Sequence, residues 1–167
     1  MPEIVDSVKQ KIWDHLSEVL DPEVPVLNIA ELGVLRDIEI DGEQLTVVIT
    51  PTYSGCPAMK VIEDQIVSVL NEKGYQNIKI KTILSPAWTT DWLTDEAKQK
   101  LKKYGIAPPG KASVNKQFLF SEGLKIVACP QCGSENTEMK SQFGSTACKA
   151  LYVCKNCLEP FDYFKCL

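Results

Sequence analysis

Val34-Leu35-Arg36-Asp37-Ile38-Glu39-Ile40 and Gln44-Leu45-Thr46-Val47-Val48-Ile49-Thr50 are two β-rich runs with the dipeptide Asp41-Gly42 in the three-residue gap between them. An Asp-Gly dipeptide between such runs is the strongest short-range hairpin signal, because both residues tolerate the positive φ that a tight turn needs. Leu45 to Ile49 is almost continuously apolar, which predicts a strand covered on both faces. Upstream, Ile4, Val8, Ile12, Leu16 and Val19/Leu20 recur at helical spacing, and the predicted helix stops near Leu20, where Asp21-Pro22 disfavours helical geometry. Asp21-Pro22-Glu23-Val24-Pro25-Val26 reads as a stiff extended connection.

Downstream of the hairpin, Pro51-Thr52-Tyr53-Ser54-Gly55-Cys56-Pro57 leads into a second helix. Met59, Ile62, Ile66 and Val69/Leu70 form its apolar stripe, and Gly74 is its stop. Asn77 to Leu84 alternates as a third strand. A polar helix from Thr94 to about Tyr104 then ends at Gly105, with Asp95 and Glu96 at its start and lysines behind them, as the macrodipole favours. The expectation is a mixed α/β (α+β) fold: a small α-β-β-α-β-α sandwich over residues 1–105, a linker over 106–124, and a four-cysteine, zinc-ribbon domain over 125–167. Ile106-Ala107-Pro108-Pro109-Gly110 breaks the helical pattern, and Phe118-Leu119-Phe120 is a candidate docking element in the linker.

Six of the seven cysteines fall in the last part of the chain, between Cys129 and Cys166, and the chain has one histidine, His15. Cys129-Pro130-Gln131-Cys132-Gly133 and Cys154-Lys155-Asn156-Cys157 are two C-x2-C knuckles. Each brings two thiolates together and points backbone N–H groups at them, and two knuckles on hairpins close a four-sulfur site. The 21 residues between Cys132 and Cys154 slightly exceed the roughly 15–20 usual for such ribbons. The predicted strands Met139–Phe143 and Ala150–Val153, with a turn at Gly144-Ser145, take up the excess. Zinc and an iron–sulfur cluster both suit four thiolates, and paired knuckles favour zinc; with no open position the site is structural. Cys148 is a possible substitute ligand; the competing reading of Cys148, and that of Cys166, is a buried small apolar side chain or a free thiol.

The chain of 167 residues is 44% hydrophobic and 24% charged, an ordinary globular balance that excludes a disordered or collagen-like chain. With 18 basic and 22 acidic residues its net charge is -4, which argues against nucleic-acid and polybasic membrane binding. Residues 121–167 carry five lysines and five acids, so a nucleic-acid role for the ribbon is disfavoured, and protein contact through Phe161, Tyr163 and Phe164 stands beside the reading of these aromatics as ribbon core. No apolar run reaches the roughly 18 residues of a membrane helix. The N-terminus shows no signal peptide, so the expected compartment is the cytoplasm.

Cys56 is expected where the second helix begins, with Pro57 in the favoured first position. Unpaired N–H groups and the positive end of the helix dipole favour a thiolate there, the setting of a reactive or metal-binding cysteine; an inert capping-region residue is the competing reading. The Tyr53-Ser54-Gly55 loop is expected to expose it. Asp21 and Glu23, on the Pro-rich turn, are candidates for a carboxylate ligand or a hydrogen bond near Cys56, against the simpler reading of solvated helix-stop residues. Trp88 and Trp92 either line a partner surface or cap the end of the sheet. His15 reads as a solvated residue.

Asp21-Pro22-Glu23-Val24-Pro25 with Glu31-Leu32-Gly33-Val34, followed by Thr50-Pro51-Thr52-Tyr53-Ser54-Gly55-Cys56-Pro57-Ala58-Met59, resembles the small α/β domain of SufT-like iron–sulfur assembly factors. Ser85-Pro86-Ala87-Trp88-Thr89-Thr90-Asp91-Trp92, Tyr104-Gly105-Ile106-Ala107-Pro108-Pro109, Phe143-Gly144-Ser145-Thr146 and Cys148-Lys149-Ala150-Leu151-Tyr152, then Glu159-Pro160-Phe161-Asp162-Tyr163-Phe164, resemble the PaaD (PaaJ) family of phenylacetyl-CoA epoxidase subunits over nearly the whole chain. The resemblance implies an accessory subunit of a bacterial multicomponent oxygenase in phenylacetate degradation. Such a subunit helps mature or insert iron or iron–sulfur cofactors in the other oxygenase or reductase subunits. It implies that Cys56 handles iron or a cluster transiently, with Glu23 nearby.

The residues agree on what the chain is not. Di-iron oxygenase chemistry needs Glu-x-x-His pairs, which one histidine cannot supply, and no Gly-rich phosphate loop marks a flavin or nicotinamide reductase. A thiol enzyme built on Cys56 would lack an evident base. A cofactor-maturation factor is thus the leading reading, and a non-catalytic structural or interaction subunit that scaffolds the oxygenase is the alternative.

Overall fold

The computed structural model describes residues 2–110 and 126–165, with side chains from residue 6 onward in the first stretch. Ile4, the Phe118-Leu119-Phe120 element and Cys166 lie outside the described residues or side chains. The chain divides into two compact units, Met1–Thr94 and Asp95–Leu167. It is a mixed α+β chain with three helices and two small sheets among the described residues.

In the first unit, α1 spans Pro2–Leu16, β1 Leu35–Asp41, β2 Gln44–Ile49, α2 Ala58–Glu72 and β3 Ile78–Thr82. The sheet order is β1-β2-β3. The Asp41-Gly42 hairpin pairs β1 and β2 antiparallel, with a bulge between Leu35 and Asp37. The crossover through α2 brings β3 parallel to β2, from Leu45 opposite Ile78 to Ile49 opposite Thr82. The central strand is therefore β2, and Leu45, Val47, Val48 and Ile49 on both of its faces are buried, as a continuous apolar run requires. Ile62, Ile66 and Leu70 of α2 are buried four residues apart, and Ile12 and Leu16 of α1 complete the helical side of the core.

α1 ends at Leu16 rather than near Leu20. The following residues unwind through i−3 bonds, Glu18 N–H to the His15 carbonyl and Val19 N–H to Leu16. Leu20 then forms a β-bridge with Asn28 while the Ile29 N–H donates to Val19. These pairings across the 19–29 loop, invisible in a local pattern, take the backbone before Asp21-Pro22 can break the helix.

The second unit contains α3, Asp95–Tyr104, and a four-stranded sheet in the order β4-β7-β6-β5. Its strands are β4 Ile106–Ala107, β5 Thr137–Ser141, β6 Lys149–Cys154 and β7 Pro160–Phe164. β5, β6 and β7 form an antiparallel meander, and β4 joins β7 in parallel, Ile106 opposite Asp162 and Ala107 opposite Tyr163. Two features therefore differ from expectation. The polar helix α3 belongs with the ribbon unit, and the first two residues of the expected linker are a strand of the ribbon sheet. The core gathers Ala107, Val127, Ala150, Tyr152, Phe161 and Tyr163 around Cys129 and Cys154. Tyr152 stacks on Phe161 at 5.8 Å and meets the edge of Tyr163 at 5.7 Å. Phe161, Tyr163 and Phe164 are buried, so the aromatic run is ribbon core and not a contact surface.

Candidate functional site

The clearest chemical centre is the sulfur cluster. Cys129 leaves the segment before β5, Cys154 ends β6, and the turns between 129 and 134 and between 154 and 159 carry Cys132 and Cys157. The turns are closed by backbone bonds, Cys129 N–H to the Ser134 carbonyl at 2.9 Å and Cys154 N–H to Glu159 at 3.0 Å. Gly133, at φ +75°, supplies the left-handed residue that ends the first turn. A bond from the Lys155 N–H to the Asn136 carbonyl, 2.8 Å, and one from Asn136 Nδ2 to Asn156 Oδ1, 3.1 Å, tie the second knuckle to the base of β5.

The four Sγ atoms of Cys129, Cys132, Cys154 and Cys157 lie within 4.8 Å of one another. Cys129 and Cys157 are 3.7 Å apart, and Cys132 and Cys154 3.5 Å. These separations are far beyond a disulfide's roughly 2.05 Å. They match the edge of a tetrahedron of about 3.8 Å that follows from metal–sulfur bonds of about 2.3 Å. Cys129 and Cys154 are buried, while Cys132 and Cys157 face outward. The donor set fits a tetrahedral metal ion with no open position.

The sulfurs do not hold protons equally. The Cys154 thiol is held down to about 6, first by the backbone N–H of Cys157 and then, against the cost of burial, by that of Asn156 and by the neighbouring sulfurs. At Cys157 the Glu159 N–H also lowers it, but burial and the sulfurs of Cys154, Cys132 and Cys129 outweigh this and push it up to about 12. Of this coupled pair, Cys154 gives up its proton early and Cys157 late.

Cys148 does not join them. Among the described residues the only group with metal-ligating geometry is the four named, and Cys148, buried, sits with its sulfur 3.1 Å from Thr146 Oγ1. Its position at the far end of β6, opposite Lys165 of the β7 end, explains this: the Lys165 N–H donates to the Cys148 carbonyl at 3.0 Å. Lys165 itself is lowered chiefly by burial, with the Cys148 sulfur acting the other way.

Cys56 stands at the other candidate centre, in the loop leaving the end of β2. At that end Thr50 donates its N–H to Val34 at 2.9 Å, and Ile83 donates to Ile49 at 2.9 Å, so segments before β1 and after β3 flank the loop. Helix α2 starts at Ala58, but Pro57 already has helical dihedrals, φ -67° and ψ -23°, and no side chain caps the helix start. The Met59 N–H reaches the Cys56 carbonyl at 3.2 Å. Cys56 thus lies at the helix head as expected. Its exposure differs: the residue is 9% accessible, covered by its own fold rather than displayed, while Ser54, Gly55 and Pro57 around it are exposed. The hydroxyl of Thr50, which sequence reasoning did not single out, is buried and has no hydrogen-bond partner among the described residues. The signal that could have found it is a hydroxyl closing an apolar strand, Val47-Val48-Ile49-Thr50.

Asp21 and Glu23 separate in role. Asp21 is buried, and its Oδ1 accepts the N–H groups of Glu23 and Val24, each at 2.8 Å, while its own N–H donates to Leu27 at 2.9 Å. It is the organiser of the 21–27 turn, not a solvated helix stop. Glu23 is half-buried on that turn. Trp88 is buried and donates its Nε1–H to the Leu32 carbonyl at 2.9 Å. Trp92 lies under the Arg36 guanidinium at 3.7 Å. A Cβ at Gly33, φ +76°, would come within 2.8 Å of the Trp92 Cβ, so this close approach requires glycine. Both tryptophans therefore cap the sheet end. His15 is half-buried, its ring 6.3 Å from that of Tyr75.

Two family models match the chain in this order: "Iron-sulfur cluster assembly protein" over residues 9–80 and "PaaD zinc beta ribbon domain" over residues 115–165. A protein of Escherichia coli (strain K12), named for its place among the subunits of 1,2-phenylacetyl-CoA epoxidase, is 46% identical over 157 residues, 94% of this chain and 92% of that protein. The chain belongs to the PaaD family. The chain is also 37% identical over 82 residues, 48% of its length and 92% of the relative, to the Fe-S protein maturation auxiliary factor SufT of Staphylococcus aureus (strain USA300). A crystal structure of a domain of unknown function, DUF59, from Bacillus anthracis superposes with a TM-score of 0.54 at 26% identity, covering 57% of this chain and 92% of that one. No helix among the described residues is long and apolar enough to cross a membrane.

Proposed function

We propose that this PaaD-family chain is an accessory subunit of a phenylacetyl-CoA epoxidase, acting in the cytoplasm in phenylacetate degradation. In this reading it assists the maturation or insertion of iron or iron–sulfur cofactors in the oxygenase or reductase subunits. The observation that carries the reading is the pairing of two different sulfur environments in one chain. Four sulfurs are spaced as ligands of one ion, and one sulfur stands alone at a helix head in a domain shared with Fe–S maturation factors.

Zinc is the ion we assign to the ribbon, held by Cys129, Cys132, Cys154 and Cys157. Ligands of one ion sit a tetrahedron edge apart, as here, whereas ligands on different irons of a cluster are forced further apart. A closed four-thiolate zinc supplies folding energy and no catalysis. Cys56 is the site for transient iron or cluster cargo. The unpaired N–H groups of a helix head suit a sulfur that takes up metal, the buried unpartnered Thr50 hydroxyl lies at the root of the same loop, and Glu23 on the turn ordered by Asp21 is the nearby carboxylate in this reading. The 9% exposure of Cys56 implies that the Tyr53-Ser54-Gly55 loop opens for transfer.

The test is activation of the epoxidase complex with Cys56→Ser in place of the wild-type chain. The reading expects loss of active complex while the variant keeps its fold and its zinc. Normal activation, together with stoichiometric co-purification, would replace the maturation role with that of a structural scaffold.

A further inference from the structure

Arg36 is the only arginine among the 18 basic residues of the chain, and the fold sets it apart from its neighbours. The β1–β2 pairing passes from Leu35 opposite Ile49 to Asp37 opposite Val48, so Arg36 is the extra residue of the bulge. A bulge takes one residue out of the ladder and re-aims its side chain. Here the guanidinium lands 3.7 Å from the centre of the Trp92 ring, and both residues are half-buried. The ring beneath it is fixed. Trp92 closes the one-turn helix Thr90–Trp92, where the Thr89 side chain accepts the Asp91 N–H and the Trp92 N–H bonds to the Thr89 carbonyl at 3.0 Å. The Trp92 Cβ packs against Gly33.

Stacking uses one face of a guanidinium and leaves its N–H edge, a planar fork of donors, unspent. Among the described residues that edge donates no hydrogen bond and enters no ion pair. The acids closest in sequence turn elsewhere. Asp37 Oδ1 accepts the Ile38 N–H at 2.7 Å and faces Lys9 at 3.8 Å, and Glu31 Oε2 accepts the Asn28 N–H at 3.2 Å. We propose that Arg36, held on Trp92, is a binding site for a single carboxylate group of a ligand. The fork matches the two oxygens of a carboxylate, which a lysine ammonium cannot do. A stacked, half-buried guanidinium has little freedom to lose on pairing, and partial shielding from water strengthens the pair. Charge sets the class of ligand. One cation balances one carboxylate, whereas a phosphate dianion asks for a second, and Lys9 is already paired with Asp37. Asp37 and Asp91, next to Arg36 and Trp92 in the chain, are exposed and repel a multiply charged anion. The site lies at the sheet end from which the Cys56 loop departs, since Leu35 faces Ile49, yet its chemistry needs no cargo at Cys56.

The test is an NMR titration of the full-length chain. A lone arginine gives a lone Nε–H signal, and the Trp92 indole N–H reports on the ring beneath it. Acetate stands for a free acid and N-acetyl-glutamate amide for a carboxylate carried by a protein. Each is added at constant ionic strength against chloride, with inorganic phosphate as the rival anion. Wild type should show a saturable shift of both signals with acetate or with the blocked glutamate. Arg36→Lys, which keeps the charge and loses the fork, should keep the spectrum of the folded chain and bind at least about tenfold more weakly, read at the indole. Tighter binding of the blocked glutamate assigns the carboxylate to a protein partner, and tighter binding of acetate assigns it to a small acid; either supports the site. A shift that does not saturate, or that chloride reproduces, overturns it, as does equal affinity in Arg36→Lys. Phosphate binding tighter than both carboxylates overturns the class of ligand. None of these outcomes bears on the role of Cys56, which activation of the epoxidase decides separately.

Discussion

The ribbon and the α/β unit use sulfur in opposite ways. In the ribbon, four thiols are brought within 4.8 Å of one another by two turns closed by their own backbone bonds. In the α/β unit a single buried thiol sits at a helix head, and no ligating group among the described residues includes it. Permanent binding follows from saturating an ion's coordination; exchange requires leaving positions open to a partner. The difference shows that cysteine count alone says little about function, while the number of sulfurs sharing one point says much.

The sharpest way to break the comparison is to remove one ribbon ligand. Cys154→Ser, or a strong chelator, should cost the ribbon its fold, since structural zinc in small domains contributes on the order of 10 kcal/mol or more. The β5–β6–β7 signals should vanish from an NMR spectrum while those of the 1–94 unit persist. Loss of both sets would mean that the units do not fold separately. A smaller effect is expected in the other unit. Asp21→Ala deprives two backbone N–H groups of their acceptor and should lower stability by about 1–3 kcal/mol, read by denaturant unfolding, with zinc content unchanged. A loss of iron handling with no loss of stability would instead restore Asp21 as a ligand.

A graded effect, read per pH unit, is a pH dependence confined to the ribbon. Metal entry requires thiolates. Between about 6 and about 12 Cys157 still carries its proton in the metal-free cluster while Cys154 has lost its own. Entry then displaces the Cys157 proton, and this pair contributes about a tenfold loss of affinity per pH unit of acidification. Below about 6, Cys154 is protonated as well and the loss steepens. Zinc competition measured from pH 5 to 8 checks the slope; a flat profile would show that the sulfurs are already deprotonated before the ion arrives.

Much of this arrangement is legible in the sequence, for identifiable reasons. The Asp41-Gly42 hairpin, the α2 stripe and both knuckles are local patterns, in which neighbouring residues carry the whole signal. Strand β4 is not: Ile106-Ala107 is followed by Pro108-Pro109-Gly110 and reads as the start of a linker, and only its pairing with β7, more than fifty residues on, makes it a strand. The same holds for α3, whose buried Ala97 and Leu101 do not announce which core they serve. A carboxylate on a Pro-rich turn looks like a solvated helix stop, yet Oδ1 of Asp21 accepts two N–H groups of the turn itself. Spacing alone admits Cys148 to the ligand set, whereas strand register puts it at the opposite end of β6 from the cluster.

The division between a held ion and a carried one is tested most directly by loading the purified chain with ferrous iron and sulfide under anaerobic conditions and measuring zinc and iron per chain in wild type and Cys56→Ser. The account predicts one zinc in both proteins, and iron in the wild type alone. Equal iron in the two, or zinc lost from Cys56→Ser, would contradict it.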